Sequence, residues 1–122
     1  MAEKAPDTKR FSAGAIAEFI QRALVAVEMP REDARIVAKL MAEADINGSD
    51  GHGIFRLPGY IRRIKEGGLN LKPNIHVERD KSGMALVDGD NAQGHLVMRY
   101  CTELAIKKAK NSGVAWVGTH DS

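Results

Sequence analysis

Several stabilising or targeting devices are missing from this 122-residue chain. It has one cysteine, Cys101, so no internal disulfide forms, and a reducing compartment such as the cytoplasm suits it. Charge of one sign is scarce. Lys+Arg total 18 against 16 Asp+Glu, a net charge of +2, which gives no strong field to draw nucleic acid onto the surface. The short basic clusters, Arg62, Arg63 and Lys65, then Lys107, Lys108 and Lys110, fall near predicted helix ends, where cations complement the helix dipole. No apolar run approaches the roughly 18 residues of a membrane span. The first ten residues lack the apolar segment of a secretory signal and read as a loose arm over 1–11. There is no internal repeat, no Gly-x-Gly-x-x-Gly after a strand and no Gly-x-x-x-x-Gly-Lys loop. A water-soluble globular chain is expected, long enough to bury a core without staples, with neither membrane nor nucleic acid as partner.

What is present is periodicity. Ser12 reads as an N-cap, and Ile16, Phe19, Ile20, Ala23, Leu24 and Val27 recur at helical spacing, predicting a first helix over 12–28. Met29-Pro30 ends it, and Pro30 followed by Glu32 and Asp33 starts a second over 31–46, with Ile36, Val37, Leu40, Met41 and Ala44 inward and Asn47-Gly48 as its stop. A third helix begins near Leu57-Pro58, buries Tyr60, Ile61 and Ile64, and stops at Gly67-Gly68. After an extended connector, 69–74, the pattern changes. Residues 75–79 alternate, 80–83 turn, and 84–88 form a second strand. A helix over 92–111, capped by Asn91, and a strand over 114–118 complete a crossover. The fold class is therefore α+β: a helical region over 12–74, then the opening of an α/β unit over 75–122. With only three strands in that sheet, a truncated chain is expected.

The stretch richest in chemistry is Ser49-Asp50-Gly51-His52-Gly53-Ile54-Phe55-Arg56. Glycine on both sides of His52 permits positive φ and close approach to the backbone. An imidazole suits proton transfer near neutral pH, and a guanidinium fork matches a carboxylate. Together they suit an oxo or hydroxy acid. Asp88-Gly89-Asp90-Asn91 invites a calcium reading that fails, because Ala92, Gln93 and Arg99 stand where an oxygen ligand, glycine and glutamate are required. His76, His95 and His120 offer no close-spaced metal pair, so no metal is expected; His76 and His95 read as surface groups and Cys101 as core.

Several motifs then coincide in order: Ala44-Asp45, Asp50-Gly51-His52-Gly53-Ile54-Phe55-Arg56-Leu57-Pro58-Gly59-Tyr60, Ala85-Leu86-Val87-Asp88-Gly89-Asp90-Asn91, and Gly113-Val114-Ala115-Trp116-Val117-Gly118 running into Asp121-Ser122. From residue 12 onward the chain resembles the amino-terminal third of the malate/L-lactate dehydrogenase family, whose members are NAD(P)-dependent and lack the Rossmann fold. The resemblance implies a 2-oxo/2-hydroxy-acid oxidoreductase, a homodimer with its active site between domains. It implies that His52 exchanges a proton with substrate, that Arg56 holds the substrate acid, and that Ser122 is the serine of a later motif. Gly51 stands where the family commonly has serine. The motif of Ser122 places a second functional histidine just beyond residue 122, and most NAD or NADP contacts are also expected there, so the fragment alone is expected to be inactive. The rival reading is a non-catalytic helical module that binds protein or nucleic acid.

Overall fold

The computed structural model describes residues 9–122. The arm expected over 1–11 lies outside that range for residues 1–8, while Lys9, Arg10 and Phe11 are exposed and belong to no helix or strand. Along the chain come α1 (Ala13–Ala26), α2 (Arg31–Ile46), 3-10 turns at Asp50–His52 and Ile54–Arg56, α3 (Leu57–Lys65), β1 (His76–Asp80), β2 (Met84–Asp88), α4 (Gly94–Ser112) and β3 (Trp116–His120). This is the expected α+β order. No helix among the described residues is long and apolar enough to cross a membrane.

Local chemistry explains the helix ends. Ser12 Oγ accepts from Ala15 N at 3.1 Å, satisfying one otherwise unbonded amide of α1. Gly48, Gly67 and Gly113 follow α2, α3 and α4 at positive φ, where a side chain would be strained. Between α1 and α2 the backbone turns at Glu28, φ +72°, and Met29 is folded into the core.

The first core joins Ile20 and Leu24 of α1 to Ala34, Val37, Ala38 and Met41 of α2, with Leu57, Ile64 and Leu69 beneath. Its composition corrects the predicted faces. Phe19 is 61% exposed, and Ile36, Leu40 and Ala44 are only half-buried. The alanines at i and i+4 on α2 let the two helix backbones approach closely, so the larger side chains sit at the margin of the contact.

The second core is Val87, Ala92, Val97 and Cys101, flanked by Val77, Tyr100 and Val117. The sheet order is β1-β2-β3, antiparallel in the first pair and parallel in the second, with α4 as the crossover. Glu78 is the extra residue of a bulge between Val77 and Arg79. Trp116 pairs with Met84, so β3 runs two residues later than predicted, and both side chains are exposed on the face that α4 leaves bare. The start of α4 is also later than predicted. Asn91, at φ +55°, does not cap the helix; its side-chain amide donates to Gly68 O at 3.1 Å, and Gln93 takes the N-cap position.

That diversion belongs to a junction between the two cores. Asp90 Oδ2 accepts from Asn70 Nδ2 at 2.9 Å and from Asn74 N at 2.8 Å. Asn70 N donates to Asn91 O at 2.9 Å. The connector is thus stapled to the β2–α4 turn. Asp90→Ala removes both acceptor bonds and should lower stability by about 2 kcal/mol in urea denaturation. Asp90→Asn, which keeps one acceptor oxygen and tolerates positive φ, should cost less.

Candidate active site

The loop that carries His52 is shaped from α2. Asp45 Oδ2 accepts from Ile54 N at 2.8 Å, and a Cβ added to Gly53 would sit 1.8 Å from Asp45 Oδ1. Gly53 is therefore required by close approach. Neither Gly51 nor Gly53 adopts positive φ, and nothing lies within 4 Å of a Cβ on Gly51. The expectation that both glycines serve the backbone thus holds for one of them. The two 3-10 turns are closed by His52 N to Ser49 O at 2.8 Å and Arg56 N to Gly53 O at 3.0 Å. Arg56 Nε donates back to Gly51 O at 2.8 Å, which sets the guanidinium beside the backbone that precedes His52. Both functional side chains are exposed to solvent.

Next to this loop, α3 and the first three turns of α4 border an open cleft of about 730 Å³, lined by Tyr60, Arg63, Gln93, His95, Met98 and Ser122 among others. Ser122 thus reaches a cleft wall, whereas His52 and Arg56 are not part of the lining. The residue that sequence reasoning missed is His95. Its ring meets Tyr60 edge-on, with centroids 5.6 Å apart at 88°, and its Nδ1 lies 3.2 Å from Gln93 Nε2. Burial pushes its pKa down, and the nearby His52 acts in the same direction. No local pattern marks such a residue, because its partners come from α3 and the preceding loop.

A second constellation forms at the carboxyl ends of β2 and β3. Parallel register sets Asp88 beside His120, and with Asp121 they bring potential ligand atoms within 4.8 Å of one another. Spacing along the chain could not reveal this. Both ring nitrogens of His120 already face carboxylates, Glu78 Oε2 at 2.5 Å and Asp121 Oδ2 at 3.1 Å. Those two carboxylates raise its pKa, which fits an imidazolium ion pair across the sheet. Cys101 is buried in the second core and burial raises its thiol pKa, so it is packed rather than nucleophilic.

The α+β arrangement, with its Gly-His-Gly loop before α3, is shared with part of solved malate dehydrogenases. Residues 11–122 match the malate/L-lactate dehydrogenase family, and the chain belongs to it. L-sulfolactate dehydrogenase from Methanothermobacter thermautotrophicus is 39% identical over 105 residues, 86% of this chain and 31% of that protein. Ureidoglycolate dehydrogenase (NAD(+)) of Escherichia coli K12 is 36% identical over 83% of this chain and 29% of its own length. The solved malate dehydrogenase of Pyrococcus horikoshii superposes with a TM-score of 0.91 at 38% identity, covering 100% of this chain and 35% of that one. The chain spans about a third of the length of these relatives.

Two outcomes test the geometry. Gly53→Ala should displace Asp45 and cost about 2 kcal/mol, with faster exchange of the Ile54 amide, whereas Gly51→Ser should change stability by no more than about 0.5 kcal/mol. His120 should titrate above the ordinary histidine range in an NMR pH series, and Glu78→Gln should lower it. Because the folded-state pKa is raised, the ion pair's contribution is complete below about pH 6.5 and is lost as pH rises through the folded value.

Proposed function

We propose that this chain is the amino-terminal part of an NAD(P)-dependent oxidoreductase that moves hydride between a nicotinamide cofactor and a small 2-oxo or 2-hydroxy acid. The observation that carries the reading is the pinned loop. Asp45 and Gly53 hold His52 and Arg56 four residues apart, on 3-10 turns that leave both side chains open to a ligand.

In this reading Arg56 pairs with the substrate carboxylate, and its bond to Gly51 O limits where the guanidinium points. His52 gives a proton to the C2 oxygen in reduction and takes it back in oxidation. Ser122, on the cleft wall, supplies a hydroxyl to substrate. The cleft fits one end of the cofactor: Tyr60 and Met98 offer apolar surface, and the Gln93 carboxamide offers polar atoms that match a carboxamide-bearing ring. When bound, the nicotinamide supplies or accepts the hydride. In this reading most contacts to the rest of the cofactor come from the part of the relatives' length that the chain does not span. The names of the relatives, malate, sulfolactate and ureidoglycolate dehydrogenases, support a 2-hydroxy acid, and the NAD(+) in one of those names supports NAD, with NADP as the alternative cofactor.

The two separate cores support a helical domain over 12–74 and the opening of a cofactor and substrate domain over 75–122. The reading includes a homodimer, by the family resemblance, and a cytoplasmic location, which the single unpaired Cys101 suits. A test grafts residues 11–122 onto the remainder of the Pyrococcus horikoshii malate dehydrogenase. His52→Ala in that chimera should cut turnover by roughly 10²–10⁴-fold with cofactor binding intact. Unchanged turnover would remove His52 from the mechanism.

A further inference from the structure

We infer that His95 is a further imidazole of the active site, donating a hydrogen bond through Nε2 to the C2 oxygen of the oxo acid. This deepens the dehydrogenase reading above and rests on it.

Two contacts fix the ring. Gln93, only 4% exposed, holds Nδ1 from one side, and the Tyr60 ring stands edge-on at 88° on another. With the Gln93 amide nitrogen as donor, Nδ1 is the acceptor and the ring hydrogen resides on Nε2. Among the described residues no protein group bonds to Nε2. Nor is any buried side-chain nitrogen or oxygen sealed without a partner, so Nε2 opens to the cleft that His95 lines. An ordered donor in a cleft with no protein acceptor is available to a ligand oxygen.

Of the charges around it, His52 favours the neutral ring. His52 comes from the loop, Arg63 from α3 and Arg99 from α4; of the acids, Glu103 is paired to Arg99 at 3.0 Å and Asp45 is bonded to Ile54 N. The half-buried site itself disfavours an imidazolium. Tyr60, the remaining titratable neighbour, presents its ring.

A neutral N–H donor polarises a carbonyl without competing as the acid. As C2 gains hydride, the carbonyl π pair moves onto oxygen and the proton from His52 completes the alcohol. His95 keeps its own hydrogen throughout. Two histidines thereby divide the work: one exchanges a proton and the other stabilises the charge that develops before the proton arrives.

The experiment is side-chain ¹⁵N and ¹³C NMR on the 122-residue chain, titrated with pH and with oxamate, a carboxamide analogue of a 2-oxo acid. His95 should show the Nε2–H form and titrate below the ordinary histidine range. Oxamate should shift both the His95 ring and His52. His95→Phe, which keeps an aromatic edge for Tyr60, should weaken oxamate about tenfold, and His95→Gln, which restores a donor, should recover part of that. An Nδ1–H ring, or a His95 that titrates in or above the ordinary histidine range, overturns the inference. Oxamate that shifts His52 and Arg56 but leaves His95 unmoved, with His95→Phe binding unchanged, overturns it while the dehydrogenase reading stands. Oxamate that shifts none of these residues overturns the inference, and the turnover of the chimera then decides the dehydrogenase reading separately.

Discussion

Asp90 sits where two packed bodies are made into one. Its carboxylate takes hydrogen bonds from the side chain of Asn70 and the backbone of Asn74, while its own amide donates to Asp88 Oδ1 at 2.8 Å. The connector from α3 and the turn from β2 are thereby locked together, despite a backbone at φ +50° that most residues avoid. That lock acts beside Leu96, which packs on the first core, and beside the bonds of Asn91 to Asn70 and Gly68 in bringing α3 against the start of α4. Together they set Tyr60 and His95, 35 positions apart in sequence, edge to face and place Ser122 on the same cleft.

A second carboxylate works on a smaller scale. Asp45, one residue from the end of α2, reaches past the helix stop and receives the amide of Ile54. The chain can turn that tightly because Gly53 has no Cβ to meet the incoming oxygen. One buried-side bond therefore converts a flexible glycine pair into two ordered 3-10 turns, and His52 and Arg56 inherit their positions from it. The loop presents its functional groups outward, toward solvent, while the cleft beyond Tyr60 is built by other residues. In the proposed reading the loop carries half of the site, and His95 of α4 and Ser122 after β3 carry part of its complement.

The sheet end shows the same dependence on distant partners. His120 reaches Glu78 only because a bulge in β1 adds one residue to that strand and because β3 runs parallel to β2 in the register that sets Asp88 beside it. The charge pattern there is a property of three strands at once. Likewise Asn91 reads locally as a helix cap, yet its amide is drawn to Gly68 O, since the neighbouring connector leaves that carbonyl within reach.

The sequence by itself determined the order and type of the elements, because their signals are local. Ser12, Pro30, Gly48, Gly67 and Gly113 act within one turn of the residues they affect, and the apolar repeats of α1 and α2 and the buried run of β2 need no distant partner to be legible. It also singled out His52 and Arg56, since a histidine between glycines ahead of an arginine is a short-range pattern. What only the tertiary structure decided is phase and register: which face of α2 meets α1, where β3 begins, that Gly53 rather than Gly51 is indispensable, and that His95 and Ser122 border one cleft. The physical reason is that a helix rotated by a fraction of a turn, or a strand slid by two residues, keeps almost the same local energy. Contacts with partners tens of residues away select among those states.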